Sequence, residues 1–465
     1  MTDIDVLLTH SNHLFYDSKQ AQKMQPYPPL QTLLAAALLR QAGMQVSVFD
    51  PTFDSPEEKL NAILSSCKQG LVAVCEDDFN FLSKMCLARN RELAFWMAKT
   101  ARAYGCRTAV HGSDASDHVK EYLDAGFDYV LIGEVEDTLL ELASRHAVES
   151  IPGLAYRSQD NSRIQYNTPR RLRTDLDALP LPAWDLIDMR QYRDAWMVHH
   201  GYFSLNMVSS RGCPFRCNWC AKPVYGNSYH ARSPYRVAEE MLDLKRNYGP
   251  DHIWFTDDIF ALSEAWTVGF SDAVDKLQAH IPFKMQSRCD LMTRRSVQAL
   301  KKAGCCEVWM GAESGSQRIL DAMDKGIRVE QIYQARANLA RYGIRVGWFL
   351  QFGYPGESWD DIEATIRMVR QTKPDDVGIS VSYPLPGTRF YQLVSSQIGS
   401  KTHWSESGDL AMIFRGAYPS AVYRALADAL HLEVRAPENK GAIQSAWSRV
   451  FALKDGWPLH AEVAS

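Results

Sequence analysis

The sequence predicts an α/β protein with two successive parallel sheets and a helical C-terminal region. Five short apolar segments alternate with helical patterns over residues 1–146, which predicts an open, doubly wound parallel sheet of the Rossmann or flavodoxin type. A second alternation, of six strand–helix units over 204–395, suits a partial (β/α)6 barrel better than a closed eightfold one. Residues 396–465 return to helical patterns. A length of 465 residues also indicates more than one domain.

The first sheet is expected to begin at Val6–Thr9, a short buried strand. The helix after it opens at Pro28-Pro29 and stops at Gly43, because proline is favoured at the start of a helix and glycine just past its end. The other four strands of this sheet are placed at 46–49, 71–74, 108–110 and 129–132. Residues 147–203, with a hairpin expected near Asp160-Asn161, are predicted to form a linker.

The second alternation begins at Leu205. Its strands are placed at 205–209, 253–255, 284–288, 308–310, 346–350 and 377–381. Helices are expected near 234–247, 264–279, 294–303, 316–324, 330–342 and 358–372, and in the tail near 420–434 and 442–453.

Composition and charge exclude several classes of function. The net charge is −4 and the only basic run is Arg170-Arg171-Leu-Arg173, so no nucleic-acid surface is expected. The longest apolar run, Leu33 to Leu39, is too short to span a bilayer, and the acidic first residues do not form a signal peptide. Ten cysteines in such a chain are typical of reduced thiols, which predicts a cytoplasmic protein.

Three of the cysteines, Cys213, Cys217 and Cys220, have the spacing Cys-x3-Cys-x2-Cys. Gly212 and Pro214 beside the first of them predict a tight loop that points the sulfurs inward. Iron–sulfur clusters are held by cysteine thiolates, and a cubane normally takes four, so three ligands leave one iron open. Three buried free thiols, or a zinc site that lacks one ligand, are the alternatives. The seven other cysteines are predicted to pack as small apolar residues; they are Cys67, Cys75, Cys86, Cys106, Cys289, Cys305 and Cys306.

Polar residues follow the predicted strands of the second alternation. Ligands of parallel α/β sheets bind at the carboxyl ends of the strands, and the three cysteines directly follow the first strand. Each polar segment alone is also explained as a helix cap, but the set predicts one cofactor site. The segments are Thr256-Asp257-Asp258, Gln286-Ser287-Arg288, Gly311-Ala-Glu313-Ser314-Gly315-Ser316 and Tyr354-Pro-Gly-Glu357.

Together with Gly353-Tyr-Pro-Gly-Glu357 and Tyr383-Pro-Leu-Pro-Gly-Thr388, these motifs resemble the radical S-adenosylmethionine (SAM) superfamily. The chain is similar to the subfamily that carries an N-terminal cobalamin-binding domain, from about residue 5 to about residue 395. The resemblance implies a [4Fe–4S] cluster on Cys213, Cys217 and Cys220, with SAM on the fourth iron. In that family an electron from the cluster cleaves SAM and releases a 5′-deoxyadenosyl radical.

The same resemblance implies contacts to SAM. Asp257 is expected near the amine of SAM, whereas Gln286, Arg288, Glu313 and Ser314 are expected at its ribose and carboxylate. The family often has Gly-Gly-Glu at the second strand end, where this chain has Thr256-Asp257-Asp258.

The strand ends of the first sheet are expected to hold cobalamin. Gly133-Glu134-Val-Glu136 resembles a Gly-Glu-x-Glu segment of the subfamily, and His111 to Asp114 lie where the subfamily often carries Gly-Gly-Pro-His. His111, Asp114, Gly133 and Glu134 are therefore assigned to this cofactor, with His10 as a neighbour. The chain contains no Asp-x-His-x-x-Gly, so the resemblance implies cobalt without a protein histidine. As lone loop histidines, His10 and His13 are expected to face solvent.

Two reactions agree with these two cofactors. The first is methyl transfer to an unactivated carbon. The second is a non-methylating oxidative cyclisation or ring rearrangement, as in the similar anaerobic magnesium-protoporphyrin ester cyclase. A methylthiotransferase is disfavoured, because such enzymes carry a cysteine after the first strand where this chain has His10. A non-catalytic cobalamin sensor is disfavoured by the intact cysteine triad.

The expected partners are a small-molecule substrate and an external electron donor such as flavodoxin or ferredoxin. Aromatic residues crowd the last strands and the tail, where they suit either a pocket for a large apolar substrate or ordinary core packing. They are Trp348, Phe349, Phe352, Tyr354, Tyr383, Phe390, Tyr391 and Trp404.

Overall fold

A computed structural model describes residues 4–65, 70–79, 87–222 and 224–457. Cys67 and Cys86, which were predicted to pack as small apolar residues, lie outside these ranges. The chain divides into two compact units. The first unit comprises residues 1–214, 222–258 and 403–408, and the second unit comprises residues 215–221, 259–402 and 409–465.

The first unit contains a seven-stranded sheet with the order β2-β1-β3-β4-β5-β6-β7. The strands are β1 (Val6–Thr9), β2 (Val46–Val48), β3 (Leu71–Cys75), β4 (Arg107–His111), β5 (Tyr129–Leu131), β6 (Leu154–Arg157) and β7 (Ile164–Tyr166). The first five are parallel, as predicted. Their order reverses direction between β1 and β3, and ligands of doubly wound sheets bind outside the strand ends at such a point.

The hairpin predicted near Asp160-Asn161, within the predicted linker 147–203, is present and extends this sheet: β6 and β7 pair antiparallel after β5. The turn into β6 depends on Gly153, which has φ +76°. A Cβ atom there would lie 2.7 Å from the carbonyl oxygen of Ile132, so only glycine permits this close return.

The parallel strands are buried on both faces, which explains their continuous apolar sequences. Leu7, Val72 and Val110 pack on one side of the sheet, and Leu8 and Ala73 pack on the other. Among its described residues, the first unit has helices at Ser18–Lys23, Leu30–Gln41, Pro56–Leu64, Ala88–Ala103, Ser113–Asp117, Val119–Ala125, Val135–Ala143, Met189–His200 and Pro234–Asn247.

Two further strand pairs belong to the first unit. β8 (Ser204–Met207) and β11 (His252–Phe255) are parallel and are the first two strands of the second alternation. β9 (Ser210–Arg211) and β10 (His230–Ala231) form a short antiparallel pair that the sequence did not predict. This pair brackets the loop that begins at Gly212.

The second unit contains the next four strands, all parallel, in the order β15-β14-β13-β12. They are β12 (Phe283–Ser287), β13 (Cys305–Glu313), β14 (Arg345–Phe352) and β15 (Asp376–Val381). The helices are Glu264–Leu277, Arg294–Ala303, Gln317–Ala322, Val329–Arg341, Trp359–Thr372, Arg389–Val394, Ser420–Arg435 and Lys440–Asp455. The strand–helix order therefore agrees with the prediction. None of the helices in the described ranges is long and apolar enough to span a bilayer.

Candidate active site

The cysteine loop begins directly after β9, and its first turn is fixed by Gly212. This residue has φ +79°, and a Cβ atom on it would lie 2.5 Å from the carbonyl oxygen of Ser228. Within the first unit, the Lys222 ammonium donates a hydrogen bond of 3.0 Å to the carbonyl oxygen of Cys213. The thiol of Cys213 is half-buried. Glycine and lysine thus hold the backbone of the first predicted ligand.

Asp257, at the end of β11, anchors the chain that enters this loop. Its carboxylate accepts hydrogen bonds from the backbone N–H of Ser209 at 3.1 Å, from the Ser209 hydroxyl at 2.6 Å and from the Ser210 hydroxyl at 2.5 Å. Burial raises the pKa of Asp257 to about 6, although these hydrogen bonds oppose the shift. The predicted contact of Asp257 with the amine of SAM stays a prediction, and its oxygens already have these partners.

Cys217 and Cys220 lie in the second unit. Asn218, between them, forms hydrogen bonds through both its backbone and its side chain. Its backbone N–H donates to the carbonyl of Met323, and its carbonyl accepts from the N–H of Phe390, both at 3.0 Å. The side-chain amide donates to the carbonyl of Ala322 at 2.7 Å and accepts from the Tyr354 hydroxyl at 3.0 Å. Both thiols are half-buried, in a segment that these hydrogen bonds attach to the second unit.

Glu313, at the end of β13, forms a buried ion pair that the sequence did not reveal. Its carboxylate lies 2.7 Å from the ammonium of Lys325, and both side chains are less than a tenth exposed. Burial alone would lower the pKa of Lys325, but Glu313 and Cys217 raise it overall. A Cβ atom on Gly311 would lie within 2.4 Å of both charged groups, so the glycine makes room for the pair.

The other residues predicted to contact SAM have different surroundings. The Ser314 hydroxyl is fully buried; it lies 3.1 Å from the Thr365 hydroxyl and accepts from the backbone N–H of Ser316. Gln286 is half-buried on β12. Arg288 is buried and faces Cys217 at 4.0 Å. The predicted SAM contacts of all three stay predictions.

Most of the aromatic residues considered as pocket walls belong to the apolar core. Trp348, Phe352, Tyr354 and Phe390 are buried, whereas Phe349 is half-buried.

Five cysteines predicted to pack as apolar residues are also described: Cys75, Cys106, Cys289 and Cys305 are buried, and Cys306 is half-buried.

In the first unit, His10 and His13 are buried rather than exposed, and the expectation that they face solvent is wrong. The Nδ1 atom of His10 accepts from the N–H of Asn12 at 3.1 Å, so its Nε2–H donates to Asp50 at 3.1 Å. The Nδ1 atom of His13 lies 2.6 Å from the carbonyl oxygen of Pro51. The reason is topological: the chain after β2, which carries Asp50 and Pro51, lies beside the chain after β1.

His111 is the last residue of β4 and Asp114 follows that strand; both are buried. The Nε2 atom of His111 lies 2.9 Å from the carbonyl oxygen of Gly133, and burial lowers its pKa. Asp114 receives two hydrogen bonds from Arg91, at 2.5 and 2.6 Å, and one from the Tyr122 hydroxyl at 2.8 Å. Burial alone would raise the pKa of Asp114, but the Arg91 guanidinium lowers it overall. Their predicted roles toward cobalamin are untested.

Glu134 and Glu136 share a buried guanidinium, that of Arg211. The Nη1 atom of Arg211 donates to Glu134 at 2.8 Å, and its Nη2 atom donates to Glu136. All three side chains are at most 6% exposed, so each charge depends on the others for its solvation. Arg211 ends β9, so this triad joins the strand-end residues predicted to bind cobalamin to the start of the cysteine loop.

Glu357 is a buried carboxyl in the turn after β14. The N–H of Gly353 donates to its Oε2 atom at 2.6 Å, and burial raises its pKa to about 8. The folded protein therefore keeps a proton that the unfolded chain releases above about pH 4.5.

Because Glu357 keeps this proton, we expect the free energy of unfolding to fall as the pH rises from 4.5 to 8, by up to about 1.4 kcal/mol per pH unit. Urea unfolding at several pH values should show a steeper fall in the wild type than in Glu357→Gln, because the raised pKa of Asp257 leaves part of the slope in the variant. An unchanged slope in the variant would contradict the assignment.

Comparisons with known proteins agree with this arrangement. Residues 207–369 match the model of the radical SAM superfamily. They include the cysteine loop and the strand ends that carry Asp257, Arg288 and Glu313. The part of the chain that carries the three loop cysteines and the residues predicted to contact SAM therefore matches the radical SAM domain.

Three curated proteins are similar to this chain. An uncharacterized methyltransferase of Pyrococcus horikoshii is 31% identical over 270 residues, which are 57% of this chain and 57% of that protein. The hopanoid C-3 methylase of Methylococcus capsulatus is 27% identical over 81% of this chain and 70% of its own length. The anaerobic magnesium-protoporphyrin IX monomethyl ester cyclase of Rubrivivax gelatinosus is 22% identical over 84% of this chain and 70% of its own length. The chain thus spans little more than half of the first of these relatives.

A solved structure confirms the fold. The radical SAM methyltransferase TsrM of Kitasatospora setae, with cobalamin and a [4Fe–4S] cluster bound, superposes with a TM-score of 0.69 at 19% identity. The superposition covers 85% of this chain and 75% of TsrM. The predicted class, an open α/β sheet followed by a partial barrel, is therefore confirmed.

Proposed function

We propose that this protein is a cobalamin-dependent radical SAM enzyme that methylates an unactivated carbon of a small molecule. The observation that supports this proposal is the combination of two features in one chain. The first is a Cys-x3-Cys-x2-Cys loop inside a radical SAM domain. The second is a parallel sheet of order β2-β1-β3-β4-β5, whose switch-point loops carry buried polar residues.

The cysteine loop fits a cluster by the chemistry of its donors. Three half-buried thiols within eight residues supply thiolate ligands, and the guanidinium of Arg288 lies 4.0 Å from the Cys217 sulfur. Among the described residues, no three Cys, His, Asp or Glu side chains already enclose a metal position. The assignment of Cys213, Cys217 and Cys220 therefore depends on their spacing and on the superfamily match. When bound, the cluster would supply the electron that cleaves SAM.

The first sheet fits a cofactor held mainly by strand-end loops. The loops after β1 and β3 meet at the switch point, where the N–H of Ser11 donates to Glu76 at 3.0 Å. His10, His111, Asp114, Gly133 and Glu134 remain our proposed neighbours of cobalamin. The described atoms give His10 no free ring nitrogen for cobalt, because one accepts from Asn12 and the other donates to Asp50.

We expect cobalamin bound to the 465-residue protein to lack a histidine ligand from the chain. Electron paramagnetic resonance of the cob(II)alamin form reports the axial ligand through nitrogen superhyperfine splitting. The spectra of wild type, His10→Ala and His13→Ala should be the same. A splitting that is present in the wild type and absent from either variant would contradict this proposal.

The second candidate keeps both cofactors but transfers no methyl group. The observation in its favour is the match to an anaerobic cyclase, which is 22% identical and extends over 84% of this chain. A methylase consumes one SAM for the radical and a second to remethylate cobalamin, so it releases S-adenosylhomocysteine together with 5′-deoxyadenosine. A cyclase would release 5′-deoxyadenosine without matching S-adenosylhomocysteine, and this ratio separates the two candidates.

The proposal extends to partners and location. A low-potential cluster needs an external electron donor, and a flavodoxin or ferredoxin supplies electrons of that kind. A cytoplasmic location suits reduced cysteines and such a donor. The net charge of −4 gives no reason to expect nucleic acid as a partner.

A further inference from the structure

The guanidinium of Arg288 is clamped in the second unit beside Cys217. On one side it stacks on the ring of Phe215, with 3.6 Å from its central carbon to the ring centroid. At its edge it pairs with Asp290, through Nε at 3.0 Å and Nη2 at 3.3 Å. The side chain is only 6% exposed. A planar group held on a face and an edge has one orientation.

That orientation directs the remaining nitrogen at a predicted cluster ligand. The Nη1 atom of Arg288 donates to the Sγ atom of Cys217 at 4.0 Å. The Nη2 atom also donates to the carbonyl oxygen of Gly326 at 3.5 Å. Most of the hydrogen-bonding capacity of Arg288 is thus used by the protein, although the family resemblance implied a contact with SAM.

The geometry points to Arg288 as a positioning residue that tunes the reduction potential of the cluster through the Cys217 sulfur. This inference rests on the proposed function. A hydrogen bond to a cysteine sulfur withdraws electron density from the cluster and favours its reduced form. The step concerned is the one-electron reduction of the cluster by an external low-potential donor, with no proton or leaving group transferred.

Because Asp290 pairs with Arg288, we expect the reduction potential to depend on the hydrogen bond from Arg288 to the Cys217 sulfur rather than on net charge. It neutralises Arg288, so the pair contributes little long-range field, and the hydrogen bond to sulfur supplies most of the effect. A lysine at this position keeps the charge but cannot form the same fork with Asp290 while facing Cys217. Arg288→Lys should therefore resemble Arg288→Met more than the wild type.

The test is a redox titration of the reconstituted 465-residue protein with dithionite as reductant, in which electron paramagnetic resonance measures the reduced cluster. In Arg288→Met and Arg288→Lys, we expect the ratio of reduced to oxidised cluster at a fixed potential to fall about tenfold. For one electron this equals a shift of about 59 mV to lower potential. SAM affinity, measured from the change that SAM causes in the spectrum, should stay within about twofold.

Arg295→Met is the matched control, because Arg295 lies in the same unit with a side chain that is 71% exposed. Its midpoint should equal that of the wild type. A wild-type midpoint in both Arg288 variants would overturn the inference, and so would weakened SAM binding at an unchanged midpoint. Loss of iron from both variants, with the fold intact by circular dichroism, would also overturn it by making Arg288 necessary for cluster retention. A wild type that binds no cluster would instead contradict the proposed function.

Discussion

Replacement of Cys213, Cys217 and Cys220 by alanine should abolish the iron and acid-labile sulfide of the reconstituted protein, together with its brown colour. The loop offers a cluster three protein ligands, which are these three thiolates. SAM is expected on the fourth iron. Each single substitution should remove most of the iron, because two thiolates hold a cubane poorly. Iron and sulfide analysis after anaerobic reconstitution measures the effect directly.

Cys306→Ala is the matched control for this prediction. Cys306 is half-buried, as the three loop cysteines are, but its thiol donates to the carbonyl oxygen of Phe283 at 3.2 Å. The control should retain the full iron content. A triple variant that retained its iron and sulfide would refute the cluster assignment.

Arg211→Ala should strongly destabilise the fold. The substitution leaves Glu134 and Glu136 buried without their shared cation, and removal of one partner from such a group costs about 3–5 kcal/mol. Burial alone would raise the pKa of Glu136, but Arg211 lowers it to about 2. The ionised Glu136 therefore stabilises the fold above about pH 4.5, and this contribution is lost as the pH falls toward 2.

Urea unfolding at pH 7 tests the role of Arg211. Arg190→Ala is the control, because that side chain is 86% exposed, and its midpoint should be unchanged. The neutral combination of Arg211→Met, Glu134→Gln and Glu136→Gln should recover much of the lost stability, since no buried charge remains. Arg211→Ala with a free energy of unfolding within about 1 kcal/mol of the wild type would contradict this account.

Local signals in the sequence predicted the elements well. The helix Pro234–Asn247 begins at proline after the N-cap Ser233, and the helix Arg294–Ala303 lies between Thr293 and Gly304. These boundaries are set by neighbouring residues, so the sequence determines them without tertiary information. The three loop cysteines could also be identified from local sequence, because their spacing alone indicates a cluster site.

Contacts between distant parts of the chain were not predictable. Arg211 is 75 residues from Glu136, and nothing in either segment marks them as partners. The burial of His10 depends on the chain after a neighbouring strand, and the position of the predicted hairpin depends on the pairing of β6 with β5. Lys325 lies in no motif and reaches Glu313 only through the fold. Such pairings arise from sheet order and register, which one sequence does not show.

The most direct test of the central claim uses the wild-type protein, a low-potential reductant and SAM with a deuterated methyl group. Mass spectrometry then follows 5′-deoxyadenosine and the deuterium label on the bound corrinoid. We expect both, with 5′-deoxyadenosine absent from the Cys217→Ala variant. Label absent from the corrinoid would contradict methyl transfer and favour the cyclase-like reaction. No 5′-deoxyadenosine from protein that carries its full cluster would contradict the assignment of radical SAM chemistry to this chain.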